Sequence, residues 1–231
     1  MQDLAKIHEI FISVQGEGIF SGKRQLFVRF FGCNLNCAYC DTPQQPNEAV
    51  DCTIDDLFLK ISQKAAPYDI HSISFTGGEP LMQAEFLKNI LPKLKQSDYR
   101  IYIDTNGTMP KSLESIIDFV DIVAMDIKLP SSTGMHDFWK EHSEFLKIAM
   151  KKIVFVKAVI TDKTTYEDFY KAVILVRKAD PHIAFILQPV SPQFGVNAVD
   201  SEVLNKFKNI ASEYIHKVKI IPQMHKVFGI K

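Results

Sequence analysis

The sequence has no excess of charge of either sign and no long hydrophobic run. Its 27 lysines and arginines are matched by 27 aspartates and glutamates, so no broad basic field would attract the chain to nucleic acid or anionic lipid. No stretch approaches the roughly 20 apolar residues that a membrane helix needs. We therefore expect a small-molecule substrate, with no nucleic acid and no membrane as partner.

The first residues, MQDLAKIHEIF, carry two acidic side chains and lack the apolar segment of a secretory signal. This predicts a cytosolic protein. Its four cysteines, at positions 33, 37, 40 and 52, do not form the pattern of a disulfide framework, because three of them fall within eight residues. Metal or redox chemistry is the leading explanation for such a cluster.

Short β-branched or aromatic runs alternate with amphipathic stretches from about residue 70 onward. HSISF precedes AEFLKNILPKLK, RIYID precedes KSLESIIDFV, and the alternation continues to KVKIIP near the end of the chain. Strand alternating with helix is typical of a parallel sheet covered by helices. We predict an α/β fold in one domain over residues 1–231: a partial (β/α)6-type barrel, modified by an N-terminal strand pair, IHEIFISV and QLFVRFFG.

The segment FGCNLNCAYCDT places Cys33, Cys37 and Cys40 in a C-x3-C-x2-C spacing directly after the FVRFF strand. Three thiolates can hold three irons of a [4Fe–4S] cluster and leave the fourth iron open to an external ligand. The alternative is a zinc site, which wants four ligands and would need Cys52 or a histidine as the last. Cys52 is also explained as a small, partly buried residue before Thr53, which with Asp56 could cap a helix over 54–64.

The cysteine spacing, with Tyr39 before the last cysteine, resembles the radical S-adenosylmethionine superfamily. The resemblance implies that S-adenosylmethionine binds the open iron and is cleaved to a 5′-deoxyadenosyl radical. SISFTGGEP, residues 72–80, resembles the superfamily's GGEP element, which contacts the methionyl group of this cofactor. The two glycines follow a predicted strand, where missing side chains permit close approach to the backbone.

Further polar residues follow apolar strands in DTNGT (104–108), MDIK (125–128) and LQPVS (187–191). Each could be an ordinary strand-end hydrogen bond, but together on one face they favour a ligand site. The residues expected to contact the cofactor are Tyr39, Cys40, Asp41, Gly78, Glu79, Asp126, Ile127, Lys128, Gln188, Pro189, Val190 and Ser191.

The segment FISVQGEGIFSGKRQLFVRFFGCNLNCAYCDT, from residue 11, resembles the 7-carboxy-7-deazaguanine synthase family almost continuously. A carboxylate could pair with Arg29, a pterin edge with Gln15 and Glu17, and Mg²⁺ with the Thr42 hydroxyl. Seen alone, these features could equally be a salt bridge, a turn and a helix cap. The expected substrate residues are Val14, Gln15, Gly16, Glu17, Arg29, Thr76 and Lys231.

The closing segment IIPQMHKVFGIK resembles the family's PQ-hydrophobic-His-Lys end. In short members the terminal carboxylate reaches back to the substrate, which is why Lys231 is included, although a frayed terminus is the simpler alternative. Phe228, where tryptophan is frequent in the family, and Asp104, where glutamate is frequent, depart from its pattern. Neither departure removes a proposed ligand.

The resemblance implies conversion of 6-carboxy-5,6,7,8-tetrahydropterin to 7-carboxy-7-deazaguanine with loss of ammonia, using the cluster, S-adenosylmethionine and Mg²⁺. It also implies a homodimer and an electron donor such as flavodoxin or ferredoxin. Two other functions fit parts of the sequence. A glycyl-radical activating enzyme would share the cysteine spacing, and a non-catalytic zinc-binding module would bind zinc without sulfide.

Overall fold

The computed structural model describes residues 4–42, 49–192 and 195–230, and the strands within them form one sheet. The sheet order is β3-β1-β2-β4-β5-β6-β7-β8-β9, with β1 antiparallel to both neighbours and all pairs from β2 to β9 parallel. The strands are Leu4–Val14 (β1), Arg24–Phe30 (β2), Val50–Thr53 (β3), Ser72–Gly77 (β4), Ile101–Thr105 (β5), Ile122–Asp126 (β6), Ile153–Ile160 (β7), Ala184–Pro189 (β8) and Val218–Ile220 (β9).

Helices follow most of the parallel strands. They are Ile54–Ala65 (α1), Ala84–Gln96 (α2), Pro110–Glu114 (α3), Pro130–Thr133 (α4), Trp139–Ala149 (α5), Tyr166–Ala179 (α6), Ser201–Ser212 (α7) and Met224–Val227 (α8). Among the described residues, no helix is long and apolar enough to cross a membrane.

The alternating side chains of the parallel strands divide the core into two layers. Outward-facing residues such as Ile101, Val123 and Phe185 pack with the apolar sides of the helices, and the inward-facing residues Tyr102 and Phe155 form a separate, smaller apolar cluster. A strand places every second side chain on the same face. The inner cluster fills the lower part of the barrel, and the next inward positions along the same strands are polar.

The predicted α/β partial barrel with an N-terminal strand pair is confirmed. The predicted helix over 54–64 is also present, and Thr53 Oγ1 caps it by accepting a 3.1 Å hydrogen bond from the Asp56 backbone. Two details differ from the sequence-based prediction. Strand β3 was not predicted, and the helix expected over 111–120 ends at Glu114, because Ile116 leaves helical geometry before a 3₁₀ turn over Ile117–Phe119.

Candidate active site

A cavity of about 580 Å³ opens where the parallel strands end. This is the end at which barrels of alternating strands and helices carry their ligands. The predicted site residues that line it are Val14, Gln15, Gly16, Glu17, Arg29, Cys33, Cys37, Tyr39, Cys40, Asp41, Thr42, Thr76, Gly78, Asp126, Lys128, Gln188 and Val190. Glu79, Ile127, Pro189 and Ser191 lie next to the lining rather than in it, and Lys231 lies outside the described residues.

The three cysteines of the motif are free thiols on one loop, and each is partly buried at the cavity wall. A turn closed by the 3.0 Å hydrogen bond from the Cys40 backbone to Cys37 O brings the second and third together. Burial raises the pKa of Cys33 and of Cys37. Without metal these groups are therefore protonated thiols, and a bound metal would have to displace the protons.

The TNGT loop and helix α4 hold the cysteine loop in place. Asn106 Nδ2 donates to Asn34 Oδ1 at 2.8 Å, and Asn34 Nδ2 donates to Thr108 Oγ1 at 2.9 Å. On the other side, the Ala38 backbone donates to Thr133 O at 2.9 Å. The loop is thus fixed from two directions before any metal binds.

The Gly-Gly pair after β4 permits a close backbone contact. A Cβ at Gly77 would lie 2.2 Å from Phe30 O, and one at Gly78 would lie 2.0 Å from Gly32 O. Neither distance is tolerable, so both positions require glycine. The sequence suggested that this pair lets a ligand approach; in the structure it lets the residues leading into the cysteine loop approach.

Glu79 links the GGEP element to the TNGT loop from below the cavity. Its Oε1 accepts from Thr105 Oγ1 at 2.8 Å and from the Leu81 backbone at 2.9 Å, and its Oε2 accepts from the Asn106 backbone at 2.8 Å. Burial raises the pKa of Glu79 to about 7, although these hydrogen bonds act in the opposite direction. The side chain supports the loops that form the cavity wall.

A buried lysine joins two carboxylates on the inner face of the barrel. Lys157 Nζ lies 2.6 Å from Glu17 Oε2 and 3.1 Å from Asp104 Oδ1, and its side chain is 5% exposed. Burial alone would raise the pKa of Glu17, but the charge and hydrogen bond of Lys157, together with Gln223 and His225, outweigh it and the pKa falls to about 2. Burial raises the pKa of Asp104, against the effect of Lys157. Glu17 is therefore held as an anion facing the cavity.

Gln223 connects both sides of the cavity mouth. Its Nε2 donates to Glu17 Oε1 at 3.0 Å and to Asp41 Oδ2 at 3.3 Å, and its Oε1 accepts from Ser191 Oγ at 2.7 Å. The Met224 backbone donates to Gly16 O at 2.9 Å. The C-terminal PQMHK segment, residues 222–226, is thereby bound to the QGEG stretch, residues 15–18.

Gly16 also contacts this segment, because a Cβ at Gly16 would lie 2.3 Å from the His225 ring. Lys226 forms an ion pair with Asp41. The QGEG and PQMHK segments therefore meet at the cavity, although they stand at opposite ends of the chain.

Arg29 lines the cavity together with its ion-pair partner Glu9. Its Nε lies 2.9 Å from Glu9 Oε1, and its guanidinium carbon lies 5.8 Å from the centre of the Phe11 ring. Strand register explains the placement, since Arg29 is opposite Glu9 on β1 and opposite Thr76 on β4. The ion pair that the sequence left open as an equal alternative exists, and it lies in the cavity wall.

Lys128, Asp126 and Tyr39 form a second polar group beside the cysteine loop. Lys128 Nζ donates to Asp126 Oδ2 at 2.8 Å and lies 5.3 Å from the centre of the Tyr39 ring. Asp126 Oδ1 and Gln188 Oε1 are buried and, among the described residues, have no hydrogen-bond partner. Two unpaired acceptors lining one cavity favour a ligand that carries hydrogen-bond donors.

Cys52 cannot complete a zinc site with the other three cysteines as they stand. It is 1% exposed on β3 within the outer core, and its sulfur accepts a weak hydrogen bond from Lys60 Nζ at 3.8 Å. In the described residues, no three histidine, cysteine, aspartate or glutamate side chains converge on a position for a single metal ion. A tetrahedral zinc site needs that convergence, whereas the thiolates of a cubane cluster bind different irons.

Several residues that line the cavity were not among the predicted site residues. Those with charged or polar side chains include Glu9, Lys157, Gln223, His225 and Lys226. Strand alternation could have identified Lys157, because Phe155 and Lys157 point to the same side of β7. Glu9 could have been found from its position opposite Arg29, but only after the β1–β2 register was known.

The parallel barrel, the three-cysteine loop at its upper edge and the cavity beside them define a radical S-adenosylmethionine enzyme, and residues 27–190 match the Radical SAM superfamily. Two relatives called 7-carboxy-7-deazaguanine synthase extend the match over nearly the whole chain. The protein from Geobacter sulfurreducens is 36% identical over 97% of both chains, and that from Archaeoglobus fulgidus is 31% identical over 98% of this chain and 99% of its own. The chain belongs to the 7-carboxy-7-deazaguanine synthase family.

The crystal structure of QueE from Escherichia coli has the same fold, with a TM-score of 0.64 at 20% identity, covering 94% of this chain and 93% of that one. Membership of the superfamily implies a [4Fe–4S] cluster and S-adenosylmethionine. The residues fit both groups. Three free thiols line one wall of the cavity, and the unpaired acceptors of Asp126 and Gln188 line it too.

Proposed function

We propose that this protein converts 6-carboxy-5,6,7,8-tetrahydropterin to 7-carboxy-7-deazaguanine and ammonia, a step toward queuosine-type bases. Loss of one ammonia balances substrate and product, so the reaction needs no net oxidant. The main support is that the cavity wall carries both a guanidinium and an ionised carboxylate. Arg29 is a cation suited to a carboxylate, while Glu17 is an anion suited to ring N–H groups.

The substrate site in this proposal comprises Val14, Gln15, Gly16, Glu17, Arg29, Thr76 and Lys231. Glu17 would accept hydrogen bonds from the pterin ring, because Lys157 keeps its carboxylate ionised. Arg29 and the adjacent Thr76 would bind the carboxylate of the substrate. Holding the substrate at both ends would fix C6 at one position in the cavity, which is the main task that the chemistry leaves to the protein.

Cys33, Cys37 and Cys40 would hold the cluster. The cofactor side of the cavity would comprise Tyr39, Asp41, Gly78, Glu79, Lys128, Pro189, Val190, Ser191 and the acceptors Asp126 and Gln188, with Ile127 packed behind them. When bound, the cluster and S-adenosylmethionine would supply a carbon-centred radical able to take a hydrogen atom from C6 and to return it. Ile127 is fully buried, and Ser191 acts through Gln223, so both support the wall rather than line it.

Mg²⁺ is the third proposed cofactor, with the Thr42 hydroxyl as its protein ligand and the substrate carboxylate as another. Thr42 and Asp41 line the cavity next to the last cysteine. Mg²⁺ keeps several waters and accepts few protein oxygens, which suits a site with one hydroxyl. Thr42→Val should weaken the dependence of turnover on added Mg²⁺, while Thr53→Val, which alters a helix cap remote from the cavity, should not.

We further propose a cytoplasmic homodimer that receives electrons from a flavodoxin or ferredoxin. The resemblance to the family supports each of these. Sedimentation at several concentrations would test the dimer, and replacing a chemical reductant by reduced flavodoxin would test the donor.

The proposed reaction is tested with protein purified without oxygen and reconstituted with iron and sulfide. Addition of 6-carboxytetrahydropterin, S-adenosylmethionine, Mg²⁺ and a reductant should give 7-carboxy-7-deazaguanine and ammonia. Arg29→Ala should reduce kcat/KM strongly, whereas Arg24→Ala at the other end of the same strand should not. If S-adenosylmethionine is cleaved but the pterin is not converted, the proposed substrate is wrong, while the radical chemistry is still supported.

A further inference from the structure

A chain of polar side chains runs through the barrel from the cavity to the opposite ends of the strands. Gln15 Nε2 donates to Gln25 Oε1 at 3.0 Å, and Gln25 Nε2 donates to Ser72 Oγ at 2.9 Å. Ser72 Oγ lies 3.1 Å from His71 Nδ1, and His71 Nε2 lies 3.0 Å from Arg100 Nη1. Gln25 is 0% exposed and Ser72 is 1% exposed, so these bonds offset the cost of burying polar groups.

Both ends of this chain are groups that can only donate. At the cavity, the Glu17 backbone N–H donates to Gln15 Oε1 at 3.0 Å. At the other end, the guanidinium of Arg100 carries only N–H donors and no acceptor atom. His71 Nε2 must therefore accept, which places the proton of the neutral ring on Nδ1 and directs it to Ser72. Burial, followed by the charges of Arg100 and Lys23, lowers the pKa of His71 and favours this neutral ring.

One arrangement satisfies every bond in the chain, and in it Ser72 Oγ accepts from both sides. Gln25 must then point its nitrogen to Ser72 and its oxygen to Gln15. Gln15 in turn must point its nitrogen to Gln25 and its oxygen to Glu17. After these bonds, Gln15 Nε2 retains one hydrogen and Oε1 one lone pair at the cavity wall. A flipped Gln15 amide would exchange the positions of donor and acceptor.

We infer that Gln25 and Ser72 are positioning residues that hold the Gln15 amide in one orientation and thereby determine which ring edge the cavity accepts. The inference rests on the proposed function, in which Gln15 contacts the pterin ring. A pterin offers a fixed order of donors and acceptors along its edge. A ring with an amino group in place of the 4-oxo group reverses two of them, because the amino group donates where the oxo group accepts and N3 loses its hydrogen. A locked amide would discriminate against such a ring.

The test compares the binding of 6-carboxypterin and its 2,4-diamino analogue to the reconstituted enzyme with S-adenosylmethionine and no reductant. Ring fluorescence gives both dissociation constants. Wild type should bind 6-carboxypterin more tightly than the analogue. Gln25→Met should reduce the ratio of the two dissociation constants by about tenfold, because only the Glu17 backbone N–H then orients the Gln15 amide. Gln25→Glu should retain the ratio, since a protonated carboxyl offers O–H to Ser72 and C=O to Gln15.

Ser72→Ala should reduce the ratio as Gln25→Met does, and Ser74→Ala is its matched control. Ser74 is on the same strand and fully buried, and its Oγ has no hydrogen-bond partner among the described residues. An unchanged ratio in both Gln25→Met and Ser72→Ala would overturn the inference and leave the proposed function intact. Equal loss of affinity for both ligands would also overturn it, and wild-type protein that binds neither pterin would overturn the proposed function itself.

Discussion

Lys157 Nζ lies 2.6 Å from Glu17 Oε2 in the cavity wall. The two residues are 140 positions apart in the sequence: Lys157 is on strand β7 and Glu17 is in the QGEG stretch. Because Lys157 also contacts Asp104, one buried cation serves two partly buried carboxylates. The charge of Glu17, on which the proposed recognition of the pterin depends, is therefore set by a residue from a distant part of the chain.

Lys157→Met should destabilise the fold, because it leaves two partly buried carboxylates without their cation. We expect the free energy of unfolding to fall by about 3–5 kcal/mol. The double variant Lys157→Met/Glu17→Gln should lose less than the sum of the two single variants, since it removes one of the stranded charges. Urea denaturation of the four proteins measures this coupling. Losses that simply add would show that the pair does not act as a unit.

His142 should make stability depend on pH. It is fully buried, its Nε2 lies 3.2 Å from Asn106 O, and burial lowers its pKa to about 4. The unfolded chain takes up a proton near pH 6.5, while the folded chain does so only near pH 4. The stability from this group is therefore complete above pH 6.5 and lost as the pH falls toward 4, by up to about 3 kcal/mol.

The comparison for His142 is the variant His142→Gln, which keeps a donor for Asn106 O but cannot titrate. Urea denaturation of both proteins at pH 7 and at pH 5 gives the difference in unfolding free energy. Between pH 7 and pH 5, the unfolding free energy of the wild-type protein should fall relative to that of the variant. A constant gap would mean that His142 does not titrate differently in the folded state.

The alternation of strands and helices made the barrel predictable, because each unit carries its own hydrophobic period. The cysteine loop was equally predictable, since three ligands within eight residues must lie close together. Strand β3 was not, because its four residues contain only a short apolar pattern and depend on pairing with β1. The pairing of β3 with β1 cannot be predicted from the local sequence.

The buried ion pair and the polar chain show what the sequence could not give for the site. Lys157 looks like any charged residue on a strand until β7 is placed beside β6 and the QGEG stretch is folded over them. Gln25 and Ser72 are likewise unremarkable in sequence, and only the parallel register of β2 and β4 sets them side by side. Contacts between segments far apart in the chain require the fold.

Gly78→Ala should prevent cluster assembly. A Cβ there would lie 2.0 Å from Gly32 O and 2.9 Å from Cys33 Cβ, so the cysteine loop would have to move. Gly22→Ala is the control, because Gly22 has a φ of +91° but no atom within 4 Å of its added Cβ. We expect the control to lose about 1 kcal/mol of stability and to bind iron fully. Iron and sulfide content after reconstitution measures the difference.

Cys52→Ala and Cys37→Ala should separate a cluster from a zinc site. Cys52 packs in the outer core, so its replacement should cost about 1 kcal/mol of stability and leave iron, sulfide and cofactor cleavage unchanged. Cys37 lines the cavity, and its replacement should abolish all three. Zinc without sulfide in the wild-type protein, lost in both variants, would instead support a four-cysteine metal site. That outcome would require Cys52 to leave the core and β3 to separate from β1, so we expect the cluster.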